Sequence, residues 1–279
     1  MTDYAVNIEN LDYSYSKGVY ALEGINLKIK KNEFIGIIGE NGAGKSTLLK
    51  SISGLLKPTG GDVFVLGVNT KEISVARLAT KAGLIMQNPD RQLFCSSVYE
   101  EVSYGPKNLG LNDKEIKNRV ESALSAVGLN SLFDDFPPAL SKGNRAKVVI
   151  ASVLAMRPEI VILDEPTSGQ DYLGSYQIMD IAKKLHAAGF TIIMATHQMA
   201  LVAEYVQRVI VMGKGKIMMD GVTRDVFSYP EKLLKTNITL PQITQLGFKV
   251  QRQFNIEQAI LNTAEMRDKV MDFFKNEKQ

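Results

Sequence analysis

Hydrophobic and polar positions fall into three regimes along the 279-residue chain. In the first, apolar runs are short and broken by Gly and Asn. Residues 5–8, 22–29 and 33–38 are predicted strands on that pattern. Phe34-Ile35-Gly36-Ile37-Ile38 is apolar without alternation, as expected of a strand buried on both faces of an α/β sheet. A Gly-rich stretch follows. The spacing then predicts a helix over 45–56, ended by Gly54, Pro58 and Gly60-Gly61, and a strand over 62–66.

From about residue 98 to 153 the period becomes helical. Asn112 with Glu115 makes a capping-box pattern, and Ile116, Val120, Ala123, Leu124 and Val127 repeat at helical spacing. Pro137-Pro138 breaks the pattern before a helix over 143–156. Strand character returns at 160–163, 191–195 and 209–212, with a helix over 172–188. A helical subdomain (98–156) inserted into one α/β core (1–97 and 157–230) is the organisation implied. An extension, 231–279, is more polar. There Asn255 with Gln258 opens a predicted helix with Ile256, Ala259, Ile260, Thr263, Val270 and Phe273 on one face. That face packs either on its own domain or on a second chain.

Composition narrows the class. With 45% hydrophobic and 23% charged residues, the chain is that of an ordinary soluble globular protein. A compact fold of this size exposes roughly 12,000 Å². A net charge of +3 is too weak for a nucleic-acid footprint. Cys95 is the single cysteine, so no internal disulfide forms, which fits a reducing compartment. No basic-then-apolar leader opens the chain, and no apolar run approaches the ~18 residues of a membrane span. A role at a membrane would therefore need another chain to hold it there. His186 and Asp134-Asp135 read as solvated, Cys95 as packed, and the eleven methionines as core fillers.

The chemistry begins at Gly39-Glu40-Asn41-Gly42-Ala43-Gly44-Lys45-Ser46-Thr47, which fits G-x-x-x-x-G-K-[ST]. Gly42 and Gly44 let backbone N–H groups turn toward phosphate oxygens. The helix starting near Lys45 adds its positive N-terminal end. Lys45 can reach β- and γ-phosphates, and Ser46 can offer a hydroxyl to Mg²⁺. A strand directly before and a helix directly after make nucleotide binding the reading. Ile160-Val-Ile-Leu-Asp-Glu165 then ends a hydrophobic strand on two carboxylates. Asp164 would hold Mg²⁺ through water, and Glu165 would polarise the attacking water.

The full set resembles the ABC ATPases. Leu140-Ser141-Lys142-Gly143-Asn144 is similar to the family's L-S-G-G-Q signature. Asp164 to Asp171 resembles its second acidic site running into the D-loop. His197 matches the switch histidine and Gln87 the Q-loop, and Tyr15 falls where the family stacks an aromatic ring on adenine, with Tyr13 and Tyr20 as competitors. The resemblance spans residues 4 to about 230. It implies a P-loop NTPase fold: a mixed α/β sheet core, an inserted α-helical subdomain and a C-terminal helical extension. It implies ATP and Mg²⁺ as cofactors, with Gln87 joining Ser46 and Asp164 at the metal and Lys45, Gln87, Glu165 and His197 in the catalytic set. Ser141 and Gly143 would serve the partner's nucleotide across a head-to-tail pair, and Asp171, in the D-loop, is a further nucleotide-binding residue.

Gln87-Asn-Pro-Asp-Arg-Gln-Leu-Phe94 and Thr239-Leu-Pro-Gln-Ile-Thr-Gln-Leu246 further resemble the energy-coupling factor subgroup, which includes cobalt and nickel importers. That resemblance implies an ATPase powering import of vitamins or transition-metal ions from the cytoplasmic face of the cell membrane. The implied partners are a second ATPase subunit (a paralogue or a second copy), a transmembrane scaffold and a small membrane substrate-binding component, with no nucleic acid. Three rivals are another ABC importer subgroup, a nucleotide-gated binding subunit with little turnover, and a non-transport ABC ATPase. Members of the last carry either a long coiled-coil insertion or two phosphate loops, and neither occurs here. Lys142 and Asn144 depart from the signature, which implies either neutral variation or a slow site. Gly169-Gln170 before Asp171 is a subgroup variation.

Overall fold

The structure is a computed structural model that describes residues 3–16, 18–254 and 256–276. Its centre is the apolar run read from the sequence, β3 (Phe34–Ile38), all five residues of which are buried. Phe34 and Ile38 face one hydrophobic core and Ile35 and Ile37 another. A strand walled by two cores has no polar face to alternate with, which explains the continuous run.

Two long strands precede it. β1 (Tyr4–Ser16) pairs antiparallel with β2 (Val19–Lys30), and both run well beyond the segments expected. After the loop come α1 (Lys45–Ile52), β4 (Gly60–Val65), β5 (Val68–Asn69) and the short α2 (Val75–Ala79). α1 stops four residues short of the expected end. Gly54 adopts φ 74°, and a Cβ there would lie 2.6 Å from Leu78 Cδ2, so the chain turns under α2 instead of continuing as helix. β6 (Ala82–Ile85) leads to the inserted helices, α3 (Val98–Asn108), α4 (Asp113–Val127) and α5 (Lys142–Ala155). Asn112 caps α4 by accepting from the Glu115 N–H, as expected.

The core resumes with β7 (Ile160–Asp164), α6 (Tyr172–Ala187), β8 (Thr191–Ala195), α7 (Met199–Tyr205), β9 (Arg208–Gly213) and β10 (Lys216–Val222). The central sheet has the order β10-β9-β3-β8-β7-β6, with only edge strand β10 antiparallel. A second, antiparallel sheet, β2-β1-β4-β5, packs with α1 against one face. α6, α7 and the inserted helices cover the other. His186 on α6 is not simply solvated. Its ring nitrogen Nε2 is 3.1 Å from the Asn32 carbonyl and its ring lies beside Phe34.

α8 (Thr223–Phe227) and α9 (Pro230–Leu234) lead into the extension, which holds α10 (Gln242–Val250) and α11 (Thr263–Asn276). The expected helix from 255 is shorter than its apolar pattern. Ile256, Ala259 and Ile260 are buried in an irregular segment, and helix begins only at Thr263; Asn255 itself lies outside the described residues. Leu233, Ile238, Leu240 and Ala259 join the main core, so this part of the extension packs on its own chain. No helix among the described residues is long and apolar enough to cross a membrane.

Candidate nucleotide site

Parallel strands of the central sheet end on one edge, and the candidate residues follow those ends. This is where α/β sheets place ligands. β3 ends at Ile38 and the Gly-rich loop rises from it. Gly44, at φ 101°, is the residue before α1, and its lack of a side chain leaves the helix's first amides uncapped by one. A Cβ there would meet the Ala21 carbonyl at 2.7 Å. Lys45 is buried, and its ammonium donates to the carbonyls of Gly39 at 2.8 Å and Glu40 at 3.1 Å. The loop thus holds its own lysine along the phosphate path.

β7 ends at Asp164 and β8 at Ala195, with β8 beside β3 and β7 on its far side. Asp164 Oδ1 accepts from the Ser46 hydroxyl at 3.0 Å. Burial pushes the Asp164 carboxyl above its usual range, the Ser46 hydrogen bond pulls it down, and the neighbouring Glu165 carboxylate pushes it up. The net shift is upward. Glu165 takes a left-handed backbone, φ 50°, stabilised by its N–H donating to the Ala195 carbonyl at 2.9 Å. Such a conformation is uncommon for a non-glycine residue and concentrates at functional sites. Its side chain is buried, and His197 Nδ1 lies 2.7 Å from Oε2. The angle is not that of a hydrogen bond, so Oε2 is left free to accept one.

These ends frame an open cavity of about 690 Å³. Its lining includes Gly39, Asn41, Gly42, Ala43, Gly44, Lys45, Ser46 and Thr47 from the loop, with Gln87, Glu165, His197 and Tyr15. Of the three candidate tyrosines, Tyr15 lines the cavity. Its ring is exposed at the cavity, its hydroxyl is 3.2 Å from Thr47 Oγ1, and Tyr13 packs edge-on behind it at 4.9 Å. Tyr20 lies outside this cavity, in a surface hollow. Gln87 donates to Ser168 at 3.4 Å, bridging the Q-loop to the segment after Glu165.

Ser141, Gly143 and Asp171 stand apart from this cavity. Ser141 caps α5 by accepting from the Asn144 N–H at 3.2 Å. Asp171 caps α6 by accepting from Gly174 N–H at 2.6 Å. Gly169 sits at φ 67°, the left-handed backbone that favours glycine, with the flexible Lys142 ammonium of the same chain beside it. Gln170 reaches the Lys142 carbonyl at 3.4 Å, so the two departures from pattern touch one another.

Several contacting residues escaped the sequence reading. Buried Glu101 accepts from the N–H groups of Phe94 and Cys95, both at 2.9 Å, and holds the segment after Gln87. Cys95 is half-buried; burial first, then Glu101, pushes its thiol up, which makes it a poor nucleophile. Arg145 on α5 pairs with Asp90 at 2.7 Å, tying the helical subdomain to the same segment. Asn237, Ile238 and Thr239 line the nucleotide cavity from the extension.

Comparison with known proteins fits this geometry. A family model described as ABC transporter matches residues 22–168. The chain belongs to the ABC transporter family. An energy-coupling factor transporter ATP-binding protein, EcfA, of Methanocaldococcus jannaschii is 42% identical over 255 residues, covering 91% of each chain. The structure of cbiO1 from Clostridium perfringens, part of the ABC transporter complex cbiONQ, superposes with TM-score 0.77 at 40% identity. It covers 88% of this chain and 99% of that one. A dimeric ATP-binding cassette in a post-hydrolysis state, bound to ADP and Pi, superposes with TM-score 0.71 at 29% identity over 78% of this cassette and 99% of that chain. Against a longer relative, 44% identical over 259 residues, the chain spans 46% of its length. The P-loop NTPase fold expected of an ABC ATPase, with its mixed sheet and inserted helices, is the fold of this cassette.

Proposed function

We propose that the chain is the ATP-binding and ATP-hydrolysing subunit of an energy-coupling factor importer, working as a head-to-tail pair. One observation carries most of this reading: Lys45, Ser46, Glu165 and His197 converge on one cavity, and Ser46 hydrogen-bonds Asp164 in the hollow beside it. The likeness to EcfA and cbiO1 supports the subgroup.

ATP would lie with its base on Tyr15 and its phosphates in the loop. Lys45 would exchange its carbonyl partners for phosphate oxygens. Ser46 and Asp164 offer two hard oxygens 3.0 Å apart, a donor set that suits Mg²⁺. Gln87 is the third candidate ligand. Mg²⁺, when bound, would neutralise charge developing on the transferring phosphoryl group. Glu165, at the cavity wall, would take a proton from an attacking water through its carboxylate. His197, 2.7 Å away, would hold that carboxylate and donate toward the γ-phosphate side. Ser141 and Gly143, at the start of α5, would complete the site of the other chain. There the helix N-terminus favours negative charge.

The membrane partner would dock beside the Q-loop. An apolar cleft of about 450 Å³ lies between α2, β6, α3 and α5, lined by Leu55, Val75, Phe94, Tyr104, Leu109 and Val153. Exposed apolar clefts of this kind mark interaction sites. Because Gln87 and Phe94 share one segment, nucleotide state and scaffold position would be read by the same loop.

Glu165→Gln is expected to retain MgATP binding while phosphate release falls about 10²- to 10⁴-fold, the usual worth of a general base. Turnover within a few-fold of wild type would remove Glu165 from the reaction. Affinity purification from native membranes tests the transporter role. Recovery with a multi-spanning scaffold and a small membrane component supports it, and recovery with ribosomes or DNA would sink it.

A further inference from the structure

We propose that Asn237, in the C-terminal extension, is a positioning residue of the nucleotide site and acts through Glu40 of the phosphate loop. The inference rests on the nucleotide reading above and goes beyond the residues of the Gly-rich loop and strand ends.

Burial alternates along the segment after α9. Thr236, Ile238 and Leu240 are buried, while Asn237 and Thr239 are exposed. Ile238 and Leu240 belong to the main core, and the Thr236 hydroxyl donates to the Leu233 carbonyl at 2.7 Å. The segment is therefore held on one side and presents its other side to the cavity, where Asn237 and Thr239 form part of the wall. Asn237 adopts φ 54°, a left-handed backbone that Asn tolerates better than most side chains. In that pose its amide donates to Glu40 Oε2 at 2.9 Å across 197 residues of sequence.

Glu40 is an awkward residue in this place. It is half-buried, lies between Gly39 and Asn41, and carries a carboxylate into a cavity built for a triphosphate. Freed, that carboxylate would repel the ligand in a region of reduced dielectric. The Asn237 amide fixes one oxygen and satisfies part of its charge, so the carboxylate is held toward the extension and off the phosphate path. Docking of the extension and affinity for nucleotide become linked quantities, and linkage runs both ways.

The test is equilibrium binding of MgATP to the full-length chain. Asn237→Ala is expected to weaken binding about fivefold, the effect of one hydrogen bond of ordinary net strength. In a Glu40→Gln background the same change is expected to do nothing, since the repelling charge is gone. Asn237→Asp keeps the shape and the left-handed backbone but sets a second carboxylate beside Glu40, and should weaken binding more than Ala. Hydrogen exchange at residues 236–240 should slow when MgATP is added to wild type and slow less in Asn237→Ala. Unchanged affinity in both variants, or an equal loss with Glu40 and with Gln at position 40, would overturn the proposal while leaving the nucleotide site standing. Failure of the wild-type chain to bind MgATP would instead overturn the nucleotide reading itself.

Discussion

Gly44 shows how little freedom the phosphate loop has. Its φ of 101° and the 2.7 Å approach that a Cβ would make to the Ala21 carbonyl act together, one on the backbone and one on packing. Gly44→Ala is expected to fold but to lose ligand-induced stabilisation. At a hundredfold excess of MgATP over Kd the wild type should gain about 2.7 kcal/mol, and the variant should gain nothing in a thermal melt. The identity of such residues was legible because the loop is local: nine consecutive positions carry the motif, and the strand before it announces itself by its apolar run. Glu165 was legible as a residue but not as a strained one. Its left-handed backbone depends on the Ala195 carbonyl from a neighbouring strand, and no local pattern encodes that contact.

Among the elements, the helices α4 to α6 were readable because each repeats its period for several turns, whereas β1 and β2 were read only in part because bulges break their alternation. The short pieces, β5, α2, α8 and α9, were not, since two to five residues do not establish a period. The extension was misread for another reason. Ile256, Ala259 and Ile260 have helical spacing, yet they are buried without helix, because Arg224 of α8 takes the Ala259 carbonyl at 2.6 Å and directs the chain across α8. The same guanidinium grips Glu265 on α11 with two contacts, at 2.8 and 3.1 Å. Arg224→Ala should therefore loosen α11 by about 1 kcal/mol, read as faster hydrogen exchange there than in the central strands. Burial alone would raise the Glu265 carboxyl, but hydrogen bonds from Arg224 and the Leu261 N–H outweigh it and the net shift is downward. A carboxyl depressed in the folded state stabilises it at neutral pH. That stabilisation fades as pH falls below the ordinary glutamate range and through the depressed value. Protection of α11 in wild type should follow that course, and in Glu265→Gln it should lose this pH dependence.

For the whole molecule, exposed surface is the informative quantity. The chain exposes 14,271 Å², against the roughly 12,000 Å² of a compact monomer this size. Part of that surface is apolar and clustered where partners are proposed: Phe94 is 66% exposed beside the cleft, and Tyr172 and Leu173 are 76% and 65% exposed just after Asp171. Composition and hydropathy could foretell a full core but not this surplus, which depends on how helices are arranged and not on how many apolar residues there are. Replacing Phe94 with Asp should leave the ATPase of the free chain within twofold or so while reducing recovery of the membrane scaffold. Equal recovery would move the docking face elsewhere.

Ser141 and Gly143 stand away from the cavity that holds Lys45, and the head-to-tail pairing proposed for them fixes a reaction order. A site whose halves belong to two molecules turns over only when they meet. In dilute solution, phosphate release should rise with the square of chain concentration until pairs saturate, and be first-order above that point. Mounted side by side on one scaffold, two cassettes experience an effective concentration in the millimolar range for short tethers. Assembly would then act as a throttle: a cassette adrift from its complex would leave the cell's ATP largely unspent.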